Sequence, residues 1–216
     1  MIILINEELR EQYEAYAAEC EAGGRITLTR IENLHKALGH TRKRNPITVI
    51  TIRTKPFEKV IEKCIRKKYV EKEEDITIDI IKKKVQDVVG IRIITEYVDD
   101  IYDVVEMLRH IPGIYIEPED ENDYVANPKP SGYSSYHIVA KSEVYSPLTG
   151  NSKLTPCEIQ VRDLSMNYWS LVEWEAKYKK EQTPSPEVEA QLKKLAELLK
   201  EAQEVAIDIR NKSEQN

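Results

Sequence analysis

Residues 88–98 read VVGIRIITEYV, and this stretch decides the fold class. Val88, Val89, Ile91, Ile93 and Ile94 are β-branched, and a run apolar on both faces is the pattern of a strand buried within a sheet. Asp87 stands at its mouth and Arg92 inside it. A guanidinium is costly to bury alone, so Arg92 faces either an acid of the fold or a ligand. Upstream, ITVITIRT at 47–54 is a second strand, and Pro56 opens a helix with an apolar face of Phe57, Val60, Ile61, Cys64 and Ile65. A short helix is expected over 77–84. Downstream, Asp99 or Asp100 caps a helix through Leu108, stopped by Pro112-Gly113. A short strand at 114–117 and a polar loop at 120–132 follow. Strands at 136–144 and 157–161 are joined by a turn at 146–153. Residues 164–180 form a helix carrying two tryptophans.

At the front of the chain, Asn6 is expected to cap a helix over 7–22 that Gly23-Gly24 ends, and a second helix spans 27–38, ended by Gly39. After Thr183-Pro-Ser-Pro, a helix over 187–210 carries a stripe of Val188, Leu192, Leu195, Leu199, Ala202, Ala206 and Ile209. That stripe either covers the sheet or meets another subunit. Strands alternate with helices early and pair late. The pattern predicts an α+β fold, a mixed five-stranded sheet flanked by helices. It is expected as one domain over 1–216, with a catalytic core at about 47–180 and helical extensions at 1–45 and 185–216.

The 216 residues are 41% hydrophobic and 32% charged, with a net charge of −6. The acidic total disfavours general DNA binding. Cys20, Cys64 and Cys157 are far apart, which reads as reduced thiols in a cytoplasmic protein. His35, His40, His110 and His137 lack metal-ligand spacing, so zinc is not expected. MIILIN at 1–6 fits neither a signal peptide nor a membrane span. Neither GxGxxG nor GxxxxGK[ST] occurs, so no dinucleotide fold or P-loop is indicated.

Four segments carry chemistry. Arg53 and Lys55 end a strand on one face, and Lys63 and Arg66 share a face of the next helix. Together they could clamp a polyphosphate, although a solvated basic surface has the same composition. Asp87 and Arg92 form the second. The third is the loop Asn127-Pro-Lys-Pro-Ser-Gly-Tyr-Ser-Ser-Tyr-His137, where Tyr133 could stack on a base and Lys129 and His137 could meet phosphates. The fourth is Glu158-Ile-Gln-Val-Arg162. Its alternation puts Glu158, Gln160 and Arg162 on one face and Ile159 and Val161 in the core. Asp87 and Glu158 are candidates to hold Mg²⁺, which prefers one or two carboxylates plus substrate phosphates.

In this order, over roughly residues 47–180, the four segments resemble the synthetase domain of RelA/SpoT-type enzymes, of the small alarmone synthetase kind. The resemblance implies a nucleotidyltransferase-like sheet and Mg²⁺-dependent transfer of the β,γ-pyrophosphate of ATP to the 3′-hydroxyl of GDP or GTP. By position, Arg53 and Arg92 would sandwich the adenine, and Lys55, Lys63 and Arg66 would hold the ATP phosphates. Asp87 and Glu158 would bind Mg²⁺, with Glu158 also helping to activate the acceptor hydroxyl. Tyr133 would stack on guanine, with Lys129 and His137 near the acceptor phosphates and Gln160 and Asn167 beside the acceptor. The family also implies a homotetramer, and single-stranded RNA or an alarmone as regulator. No membrane partner is expected. Where relatives often carry a basic residue and a leucine, this chain has Ser134 and Tyr136, and Asp-Phe-Trp is replaced by Asn167-Tyr168-Trp169. Tyr168, Trp169 and Trp174 are expected to pack in the core. With no His-Asp metal hydrolase motif, synthesis alone is expected. Two other readings remain open: a toxic relative that modifies adenosine nucleotides or tRNA 3′ ends, and a non-catalytic nucleotide- or RNA-binding module.

Overall fold

The computed structural model describes residues 7–147, 149–178 and 185–215. The expected cap Asn6, the segment MIILIN, Thr183 and the helix end at Lys180 lie outside the described residues. In chain order the elements are α1 (Glu7–Thr41), β1 (Ile47–Thr54), α2 (Phe57–Arg66), a single 3-10 turn, α3 (Ile78–Lys84), β2 (Val89–Thr95), α4 (Asp100–Arg109), β3 (Ile114–Asp123), β4 (Tyr136–Ser146), β5 (Asn151–Asp163), α5 (Leu164–Tyr178) and α6 (Pro186–Glu214). The sheet runs β1-β2-β5-β4-β3. Only β2 and β5 are parallel; the other pairs are antiparallel. The architecture is the α+β, mixed five-stranded sheet that the sequence predicts.

Alternation along β2, β4 and β5 separates two faces. Val89, Ile91 and Ile93 join Ile138, Ala140, Cys157, Ile159 and Val161 in one core cluster with α1 and α2. The opposite face carries the polar side chains. Register lines them up: Gly90 pairs with Arg53 on one side and Glu158 on the other, and Thr51, Arg92, Gln160 and His137 form the next file. A residue pair in register shares a face, so the pairing places groups from four strands side by side.

The first helix departs from expectation. Gly23-Gly24 does not end it; α1 runs unbroken to Thr41. Its buried stripe, Leu9, Tyr13, Ala17, Cys20, Gly23, Gly24, Thr27 and Ile31, has helical spacing throughout. The small residues in the middle let the helix press onto the sheet. A Cβ at Gly23 would lie 1.8 Å from Thr155 Oγ1, and one at Gly24 2.6 Å from Val89 Cγ1. The glycines are therefore contact residues, and tertiary packing overrides their cost in helix propensity. Gly39 is also inside α1 rather than at its end.

β3 is longer than the expected 114–117 strand and absorbs part of the 120–132 loop. Pro118 sits in a register shift between Ile116 and Glu121, the position where an edge strand tolerates proline. Pairing resumes because Glu121 meets Arg109 at 2.6 Å and accepts from Tyr136 Oη at 2.6 Å. The turn between β4 and β5 is shorter than 146–153, and Gly150 N closes it onto Ser146 O at 2.9 Å. At α4, Asp99 is the N-cap but makes no capping bond. Asp99 pairs instead with Arg210 of α6 at 2.6 Å, while Arg44 grips Asp100 at 2.6 and 2.7 Å.

α6 begins at Pro186, capped by Ser185. Its stripe does not cover the sheet. Leu192 is buried and its carbonyl accepts from Trp169 Nε1 at 2.8 Å, whereas Val188 and Ile209 are exposed. Of the expected aromatic core trio, only Trp169 is buried. Tyr168 and Trp174 are 54% and 58% exposed, because they share the outer face of α5 with Leu164 and Leu171. Among the described residues, no helix is long and apolar enough to cross a membrane.

Candidate active site

The strand ends and the polar face of the sheet converge on two carboxylates. Asp87 lies just before β2. Lys55 Nζ bonds its Oδ2, and Lys63 Nζ bonds Oδ1 at 2.8 Å. Burial works against ionising Asp87, but the two ammonium groups overcome it and hold the carboxyl below its usual range. Burial pulls Lys55 the other way, toward loss of its proton, and Asp87 offsets only part of that. With two lysines on one carboxylate, ionised Asp87 is the direction the geometry supports. Tyr13 of α1 donates to the Lys55 carbonyl, so the long helix fixes the backbone at this corner.

Glu158, on β5, is the second carboxylate. Gln160 Nε2 donates to its Oε2 at 2.5 Å, and His137 Nδ1 lies 3.2 Å from its Oε1. Burial and the nearby Asp87 oppose its charge, and the contacts with His137 and Gln160 outweigh them, leaving it lowered. A directional chain leads to it. Arg162 has only donors, so Tyr133 Oη accepts from it at 2.8 Å. Tyr133 Oη lies 2.7 Å from His137 Nε2. When a neutral imidazole accepts the Tyr133 proton there, its Nδ1 carries the hydrogen toward Glu158. Arg162 also donates to Gln160 Oε1 at 2.7 Å.

Arg92 occupies the face beside them. Its Nε is buried without a partner among the described residues. Burial lowers it, and its neighbours Arg162 and Arg53 add like charge. Arg53 is exposed and passes over Gly90, whose missing side chain leaves the strand surface open beneath it. Burial lowers Lys129, and the like charges of Lys67 and Arg66, at the end of α2, lower it further. Lys129 Nζ sits 4.3 Å from the Tyr124 ring centroid and 4.9 Å from that of Tyr133. Asn167 lies on α5, with Oδ1 buried and unpartnered among the described residues.

The structure thus brings Lys55, Lys63 and Asp87 into one cluster, and Tyr133, His137, Glu158 and Gln160 into another, with Arg92 and Arg53 alongside. Arg66 stays at the rim. Asp87 and Glu158 are near enough to repel one another electrostatically.

A region found in RelA and SpoT proteins matches residues 52–183. The chain belongs to the RelA/SpoT family. Within that family it is of the small alarmone synthetase type. It is 34% identical over 168 residues to GTP pyrophosphokinase YjbM of Bacillus subtilis (strain 168), covering 77% of this chain and 73% of that protein. Its fold matches small alarmone synthetase 1 from Bacillus subtilis bound to its product pppGpp, with TM-score 0.81, 29% identity and coverage of 94% and 98% of the two chains. The same enzyme bound to AMPCPP matches with TM-score 0.74 and 25% identity, covering 95% of this chain and all of that one.

Three residues were not singled out from the family pattern. Arg162 holds both Tyr133 and Gln160; its signal was a charge alternating with Glu158 on the same strand, as with Arg92. Tyr124 packs edge-on against His137, with ring centroids 5.2 Å apart. Tyr13 acts through a backbone carbonyl, which leaves no signal in local sequence.

Proposed function

We propose that this RelA/SpoT-family chain transfers the β,γ-pyrophosphate of ATP to the 3′-hydroxyl of GDP or GTP, with Mg²⁺ and without hydrolase activity. The observation that carries this reading is a pair of buried, hydrogen-bonded carboxylates, Asp87 at the mouth of β2 and Glu158 on the polar face of β5. Asp87 is bracketed by two lysines, and Glu158 terminates the Arg162–Tyr133–His137 chain.

The donor set suits Mg²⁺. Each carboxylate oxygen engaged by an N–H keeps a second lone pair. Among the described residues no group of three or more His, Cys, Asp or Glu could hold a metal. An ion shared by Asp87 and Glu158 would therefore complete its shell with phosphate and water oxygens, as Mg²⁺ does. When bound, the ion supplies charge neutralisation for the phosphates. Lys55 and Lys63 stand where they can exchange Asp87 for a triphosphate. Arg53 and Arg92 offer guanidinium planes for the adenine, the unpartnered Arg92 Nε being ready to donate. Tyr133 presents a ring for guanine, and Glu158, kept ionised, can accept the acceptor hydroxyl's hydrogen bond. Lys129, Gln160 and Asn167 border the same side. Such transfer relies on positioning and charge stabilisation more than on covalent steps.

We also propose a homo-oligomer, supported by the exposed apolar residues Leu164, Tyr168, Leu171 and Trp174 on α5. The deciding assay incubates the protein with Mg²⁺ and γ-labelled ATP, adding GDP, GTP, AMP, ADP or tRNA separately. Label on GDP or GTP supports the proposal. Label on adenosine nucleotides or tRNA replaces the acceptor, and no transfer with ATP still bound makes the chain a non-catalytic module.

A further inference from the structure

Arg162 is 4% exposed, so its guanidinium lies inside the protein. Its side-chain bonds among the described residues all go to neutral oxygens. Nη2 donates to Tyr133 Oη at 2.8 Å and to Gln160 Oε1 at 2.7 Å, and Nε donates to Ser135 Oγ at 3.3 Å. Ser135 is fully buried and donates to the Val161 carbonyl at 3.3 Å, which ties the guanidinium to β5. A buried cation without a bonded carboxylate is costly, so packing alone is a poor reason for it.

Two arms run from Arg162 Nη2 to one carboxylate. The first passes through Tyr133 Oη and His137 to Glu158 Oε1, with steps of 2.7 and 3.2 Å. The second passes through Gln160, whose Nε2 donates to Glu158 Oε2 at 2.5 Å. Glu158, Gln160 and Arg162 alternate on one face of β5, and His137 pairs with Gln160 from β4, so register closes the ring. A guanidinium has donors only. Gln160 therefore turns its carbonyl oxygen to Arg162, which leaves its amide hydrogens for Glu158. The flipped amide would set donor against donor and oxygen against carboxylate. Tyr133 accepts from Arg162 likewise, which leaves its proton for His137 Nε2. Both arms then reach Glu158 as donors. Arg162 Cζ also lies 5.2 Å from the Tyr133 ring centroid, so one group holds that ring and its hydroxyl.

We propose that Arg162 is a positioning residue. Acting through Tyr133 and Gln160, it fixes the hydrogen-bond polarity of both arms and so holds Glu158 as an oriented acceptor. This deepens the transfer reaction proposed above and rests on it for the kinetic readout alone.

The test measures steady-state transfer to GDP in Arg162→Lys and Arg162→Gln. Lysine is also donor-only but reaches with a single nitrogen, whereas glutamine bonds either way round and fixes no polarity. One arm being worth about tenfold, kcat should fall about tenfold in Arg162→Lys and about a hundredfold in Arg162→Gln, with KM for ATP within about twofold of the parent. Tyr133→Phe with Gln160→Met removes both arms, and adding Arg162→Gln to that pair should cost less than about threefold more. A bracing role in folding alone would lower Tm without this coupling. Should Arg162→Gln not fold, the same cycle is run with Arg162→Lys. Nitrogen-15 NMR of the histidines at pH 8, with His137 assigned through His137→Asn, reads the polarity without turnover. The parent should show His137 protonated at Nδ1, and the Arg162 variant should mix the two tautomers. Near-parental kcat in Arg162→Gln, equal losses in the two variants, losses that multiply in the triple variant, or an unmoved His137 tautomer would overturn the assignment. A parent that transfers nothing refutes the reaction instead, and the NMR result then decides for or against Arg162.

Discussion

Gly23→Ala places a methyl group on α1 where the helix crosses the sheet. Helix propensity alone predicts a gain of about 0.5–1 kcal/mol. The packing predicts the opposite. The new Cβ would lie 1.8 Å from Thr155 Oγ1, 3.1 Å from Thr155 Cβ and 3.3 Å from Val144 Cγ2. Thr155 is buried, and its hydroxyl donates to the Ser142 carbonyl at 3.3 Å, so it has nowhere to swing without losing that bond. Overpacking costs about 1–3 kcal/mol, and the lost hydrogen bond about 1 kcal/mol. After the propensity gain, a net loss of about 1–3 kcal/mol remains. For a chain of this size that lowers Tm by about 2–12 °C. Scanning calorimetry should show this drop in Gly23→Ala. Gly39→Ala, in the same helix with Asn45 Nδ2 no nearer than 3.5 Å, should instead raise Tm. Adding Thr155→Ala to Gly23→Ala should recover part of the loss, because Oγ1 is the principal clash. A Gly23→Ala protein that melts at or above the parent temperature would refute the close crossing, and with it the account of why α1 is unbroken.

Three other outcomes follow from the site. Tyr133→Phe keeps the ring but removes the hydroxyl between Arg162 and His137; under the proposed reaction it should cut transfer by about tenfold with little change in ATP affinity, read by steady-state kinetics. Asp87→Asn and Glu158→Gln should each abolish transfer while the circular dichroism spectrum is preserved; near-parental rates in both would remove the proposed metal site. Asp87 and Glu158 are both lowered in the folded state. The unfolded chain therefore binds more protons just below its own carboxylate values of about 4, so stability falls as the pH drops through the lowered folded values. Urea midpoints between pH 3 and 6 should show this slope, reduced in Glu158→Gln. Cys20, Cys64 and Cys157 are all fully buried, and burial pushes Cys157 up to about 11; a thiol reagent at pH 8 should label them only at the rate of unfolding.

Leu164, Tyr168, Leu171 and Trp174 leave α5 with an apolar outer face, while Trp169 is buried on the side that meets α6. Sedimentation of the parent and of Leu171→Glu would show whether the outer face joins copies.

The sequence by itself was enough to mark most of the strands and the polar face that β5 carries. Dense β-branched runs mark β1 and β2, and alternation in Glu158–Arg162 separates core from site without any tertiary information. The family order of Arg53, Lys55, Lys63, Asp87, Arg92, Tyr133, His137 and Glu158 was likewise legible. Only the tertiary structure decided what the glycines and the aromatics do. Gly23-Gly24 has the composition of a helix stop, and whether it stops a helix or lets one approach a sheet depends on Thr155 and Val89, more than sixty residues away in sequence. The same holds for Trp169 and Trp174, which are alike in local pattern and opposite in burial, because α6 packs on one side of α5 and not the other. The hydrogen-bond chain from Arg162 to Glu158 is nonlocal in the same sense. Its geometry exists only once β4 and β5 are in register, since a hydrogen bond depends on distance and direction and sequence spacing specifies neither across strands.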